Sequence, residues 1–123
     1  MNPAAEPTGT VEQALANAGQ LLQRSADLAA EQVLEILKVA PREARAHLLL
    51  GLAQGALGQG EAAVAALRRA TQLDPGLGDA WRALADHLMA MGDTAAAEAA
   101  QARHLQCSTR DPLLLRPALA LAE

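Results

Sequence analysis

His104 and Cys107 lie three residues apart, a spacing that would put an imidazole and a thiol on one face of a helix, where both could reach a metal ion. Structural zinc takes four ligands, usually as two closely spaced pairs, and the chain has no second pair to complete the set. His47 and His87, the other two histidines, are 40 residues apart and offer acid–base chemistry only if the fold unites them. Glu31 and Glu35 are four apart and share a helix face, as paired acid–base carboxylates would. Lys38 beside them makes a solvated, charge-balanced face the expectation. Arg42, Arg45 and the pair Arg68-Arg69 are the basic groups that could meet an anion, and isolated basic pairs on an acidic chain are ordinary surface. No Gly-rich phosphate loop followed by Lys-Ser or Lys-Thr occurs. These residues imply a non-enzymatic chain with no catalytic, metal or cofactor-binding set.

Whatever positions these side chains is helical. Of 123 residues, 31 are Ala and 22 are Leu, whereas Val and Ile supply five; Phe and Tyr are absent and Trp81 is the one aromatic residue. Strands need β-branched and aromatic residues, so the expected class is all-α, with helices packed closely through alanine and leucine. The net charge of -4 and the pI of about 5.3 exclude a nucleic-acid partner as the expectation. One cysteine cannot form an internal disulfide, and no apolar run approaches the ~18 residues of a bilayer span. The start MNPAAEPTGT has neither a basic head nor an apolar stretch. A cytoplasmic protein with no membrane partner is expected.

The sequence repeats at 34 residues. Pro41 and Pro75 stand at that interval, as do Ala29, Ala63 and Ala97. Leu57-Gly58 recurs as Met91-Gly92, Leu50 as Leu84, and Val33 as Leu67. Prolines and glycines at these points predict helices at about 10–23, 27–40, 44–57, 61–73, 79–91 and 94–107. In this register Cys107 falls with Val39 and Leu73, and His104 with Ile36 and Ala70, so both are expected to pack rather than react.

Residues 44–77, with Leu50-Gly51, Ala63, Leu67, Ala70 and Pro75, resemble the tetratricopeptide repeat, a helix–turn–helix unit of 34 residues. The resemblance implies an α-solenoid of three repeats, 10–43, 44–77 and 78–109, after a disordered 1–9. The segment 111–123 is expected to form a C-terminal helix, half of a further repeat. In such arrays the first helix of each pair lines the concave face. Carried over slot by slot, that implies a groove of Ala14, Ala18 and Leu21, then Leu48, Leu52 and Gly55, then Arg82, Asp86 and Met89, with Arg82 and Asp86 pairing across one turn. The groove is mostly apolar. It lacks the basic set with which some members of the family grip a peptide carboxylate. The implied ligand is therefore an amphipathic peptide or helix of a protein partner, or a second copy of the chain. Leu113, Leu114 and Leu115 are too apolar to stand in water and are expected to mediate self-association, giving a homodimer. The run from Asp79-Ala80-Trp81 through Met91-Gly92-Asp93 to Asp111-Pro112 and residue 123 also resembles the N-terminal repeats of bacterial tetratricopeptide-repeat sulfotransferases. That resemblance implies an accessory or recruitment role beside a catalytic domain outside this chain.

Overall fold

The computed structural model describes residues 6–109. It contains six helices: α1 (Glu6–Arg24), α2 (Ala26–Val39), α3 (Ala44–Ala56), α4 (Gly60–Leu73), α5 (Gly78–Ala90) and α6 (Thr94–Thr109). No strand occurs among the described residues. The first helix begins at Glu6, ahead of the expected start at residue 10. The expected helix in 111–123 lies outside the described residues.

Each boundary has a local cause. Gly58 and Gly92 adopt φ of 81° and 87°, a left-handed conformation that costs glycine nothing. Around them the amides of Gly58 and Gln59 return to the carbonyls of Gly55 and Gln54, and those of Gly92 and Asp93 to Met89 and Leu88. This pair of hydrogen bonds closes the ends of α3 and α5 in the same way, one period apart. The ends of α2 and α4 are made differently. Ala40 (φ -131°, ψ 73°) and Asp74 (φ -141°, ψ 88°) leave the helical region because a proline follows each. Between α1 and α2 the chain turns on Ser25 alone, whose Oγ accepts from the Leu28 amide at 3.3 Å.

The helices pack as the pairs α1–α2, α3–α4 and α5–α6, and the pairs stack through α2 against α3 and α4 against α5. First helices also touch one another, α1 with α3 and α3 with α5. No such contact joins α2 to α4 or α4 to α6. A stack whose first helices meet while its second helices stand apart bends toward the first helices, and that edge is the concave one.

Alanine makes this closeness possible. Ala29, Ala63 and Ala97, the three members of one register position, are 1%, 0% and 2% exposed. Val33 and Leu67 share another position and are fully buried, each in its own cluster or at its edge. One cluster joins Leu15, Ala18, Val33, Ile36 and Ala46 across α1 to α3; the other joins Val64, Leu67, Leu84, Leu88, Ala97 and neighbours across α4 to α6. The third member of the Val33–Leu67 position is Gln101, and it is exposed. Gly51 lies so close to α4 that an added Cβ would stand 2.6 Å from Leu67 Cγ and 3.2 Å from the Ala63 carbonyl.

Candidate functional site

The concave edge holds an open depression of about 370 Å³ between the first helices. Its lining comes from α1 (Glu12, Leu15, Ala16), α3 (Arg45, Leu48, Leu49) and the start of α5 (Leu77, Asp79). Apolar side chains make the floor, and charged groups stand at the rim.

Of the nine residues expected in the groove, Leu48 lines this depression. Ala14 is half-buried against the α1–α3 cluster, and Ala18 has no exposed surface. Leu21 instead borders a separate hollow on α2, with the exposed Leu28 and Leu34. Leu52 packs, half-buried, against the α4–α6 cluster. Gly55 lies directly beneath the His87 imidazole, which occupies the space a side chain there would need. Arg82, Asp86 and Met89 are exposed on α5, and no ion pair joins Arg82 to Asp86. Leu113, Leu114 and Leu115 lie outside the described residues.

Glu12 and Arg45 were not expected to act together, and they organise the rim. They are 33 residues apart, nearly one period, so stacked first helices bring them side by side. Arg45 Nη1 and Nη2 donate to the two Glu12 carboxylate oxygens at 3.0 and 2.6 Å. Arg45 Nε and Nη2 also donate to Glu43, at 3.0 and 3.2 Å. Hydrogen bonding from the guanidinium, with its charge, holds both carboxyls below the ordinary glutamate range, against the opposing effect of burial. The same bonds raise Arg45 further above its usual value. A carboxyl depressed in the folded state contributes stability above its unfolded pKa and loses it as pH falls through the folded value. Arg45→Ala is therefore expected to lower the melting temperature at neutral pH. Acid titration should shrink the difference between the two proteins, and high salt should shrink it too, because the network is exposed. A difference that persists unchanged at acid pH would show that Arg45 stabilises through packing alone.

The residues with reactive chemistry are engaged elsewhere. His104 Nδ1 donates to the Gly78 carbonyl at 3.0 Å, and Cys107 Sγ lies 3.6 Å from the Pro75 carbonyl. Trp81 Nε1 donates to the same Pro75 oxygen at 2.8 Å, so all three side chains tie down the turn before α5. His47 Nε2 donates to the Pro41 carbonyl and His87 Nδ1 to the Ala83 carbonyl. Glu35 pairs with Lys38 at 2.8 Å on an open helix face. No group of three or more His, Cys, Asp or Glu placed to hold a metal occurs among the described residues, nor does a helix long and apolar enough to cross a membrane.

Comparison with known proteins follows the fold. No curated protein matches the sequence. Among solved structures, the type III secretion translocator chaperone SycD of Yersinia enterocolitica is similar over 94% of this chain and 90% of its own, at 21% identity and a TM-score of 0.77. The TPR2AB domain of yeast Sti1, in complex with an Hsp90 peptide, is similar over 90% of this chain and 42% of its own (21% identity, TM-score 0.77). MamA of Desulfovibrio magneticus RS-1 is similar over 83% of this chain (24% identity, TM-score 0.71), and the chain spans 56% of that protein. All three show a helical solenoid of this type. The family profile of the tetratricopeptide repeat matches residues 52–115, just over half of the sequence. With the 34-residue register, the paired helices and that match, the chain belongs to the tetratricopeptide repeat family.

Proposed function

We propose that the protein is a non-catalytic interaction module whose concave edge binds a peptide or helix of a protein partner, or a second copy of the chain. The observation that carries this reading is the depression between first helices. Its leucine floor and charged rim suit an amphipathic segment, with apolar side chains inward and polar ones outward. SycD is a chaperone and the Sti1 domain holds an Hsp90 peptide, uses of the fold in keeping with this role. Self-association would run through Leu113, Leu114 and Leu115. Placed beside a sulfotransferase-type catalytic domain, as the resemblance of residues 79–123 implies, the same groove would recruit or orient a protein substrate. The gene beyond codon 123 tests that placement.

Peptide-display selection on the immobilised protein tests the groove. The selected peptides are expected to share an apolar helical pattern. They should bind Leu48→Asp and Leu77→Asp more weakly, by about tenfold or more, since each change puts a charge where apolar contact is needed. Binding that ignores both substitutions would remove the groove as the site. Light scattering at tens of micromolar tests self-association: Leu114→Asp is expected to lower the apparent mass, and a monomeric parent protein would overturn it.

A further inference from the structure

The surface has a further shaped recess, and it shares no residue with the concave depression. Because α4 and α6 do not touch, a groove of about 420 Å³ opens between them, with α5 as its floor. Trp81, Leu84 and Leu88 form that floor, Arg68 stands on the α4 wall and Arg103 on the α6 wall. The α6 wall is otherwise alanine, including the exposed Ala99, so a visiting backbone can come close.

The charge here runs against that of the molecule. The chain carries a net charge of -4, yet two arginines and no carboxylate line this groove. Neither Arg68 nor Arg103 takes part in an ion pair among the described residues. Arg103 sits over the Trp81 ring, 4.9 Å from its centroid, a contact that holds the guanidinium in place and leaves its N–H groups for an acceptor. Two guanidiniums flanking an apolar floor, that of Arg103 held on the Trp81 ring, complement a segment in which an apolar side chain is bracketed by carboxylates. A nucleic acid would meet the cations but find no open ring for its bases, since Arg103 covers the Trp81 face. A flat lipid surface would not reach the floor.

We propose that the groove between α4 and α6 docks an acidic, leucine-bearing segment of a partner protein. This site is separate from the concave edge and does not depend on it. The test uses fluorescence anisotropy with a labelled amphipathic peptide of leucine and glutamate, beside a leucine–lysine peptide, a glutamate-only peptide and a labelled single-stranded oligonucleotide. The leucine–glutamate peptide is expected to bind saturably and to weaken with salt. The other three probes should bind at least about tenfold more weakly. Arg68→Glu, Arg103→Glu and Ala99→Glu should each reduce affinity by about tenfold or more, by charge repulsion or by blocking the groove. Glu31→Gln, exposed on α2 and outside both grooves, should leave it unchanged. Ala99→Glu changes an exposed helix position and keeps both arginines; its carboxylate, one turn from Arg103, would fill the groove and compete for that guanidinium, so it reads the groove even if an arginine variant unfolds, and circular dichroism verifies each fold. The proposal is overturned if the leucine–glutamate peptide does not bind, if Ala99→Glu binds it as well as the parent does, or if any comparison probe binds equally tightly.

Discussion

Leu67→Ala is expected to lower the free energy of unfolding by about 2–5 kcal/mol, the largest loss from any one side chain here. Leu67 is fully buried on α4, against Gly51 of α3 and in one cluster with Leu84 and Leu88 of α5. Gly51 lies directly against it. Gly51→Ala alone should also destabilise. Alanine is the better helix former by about 1 kcal/mol. Against that, the new methyl would lie 2.6 Å from Leu67 Cγ and 3.2 Å from a backbone carbonyl that cannot step aside, and overpacking of this kind costs about 1–3 kcal/mol. The two changes combined should cost less than their sum, because the smaller residue 67 vacates the space the Gly51→Ala methyl requires. Chemical denaturation of the parent, the two single variants and the double variant measures that coupling. Strict additivity would mean that Gly51 and Leu67 do not constrain each other.

The second large effect is expected at the helix crossings. Ala63→Leu and Ala97→Leu should each cost about 1–3 kcal/mol, since both alanines lie where paired helices come closest and have almost no exposed surface. For a domain of this size that corresponds to about 4–8 °C of melting temperature per kcal/mol. Gln101→Leu is the informative control. It occupies the register position of Val33 and Leu67, but it is exposed, so its change should stay within about 0.5 kcal/mol. Equal losses at 97 and 101 would break the assignment of inner and outer faces.

The contrast between Leu67 and Gln101 marks how far periodicity carries a reading. Identical spacing told where Ala29, Ala63 and Ala97 belong, and proline and glycine located the turns, because each of those signals acts within a few residues. Six helices and their pairing were legible for that reason. The site was less so. Gly55 seemed to line a groove, but its neighbour is a histidine one helix pair away, a relation with no local sequence mark. Arg82 and Asp86 have the spacing of an ion pair and stay apart, since two exposed side chains gain little from meeting. The Arg45–Glu12 link was within reach: a spacing one short of the period on stacked first helices is itself a contact signal. The groove between α4 and α6 had no such mark. Its alanines are chemically silent, and its character comes from two arginines, 35 residues apart, that meet across a gap visible only in three dimensions.

Trp81 gives that gap a built-in reporter. With no tyrosine and no other tryptophan in the sequence, all near-ultraviolet emission of the protein originates from one indole. That indole lies beneath a guanidinium and hydrogen-bonds the turn before α5. Its wavelength and intensity therefore follow the polarity of a single place. Unlabelled protein can announce when the third helix pair opens on heating, and quenching by iodide or acrylamide can tell whether a visitor has covered the floor between α4 and α6.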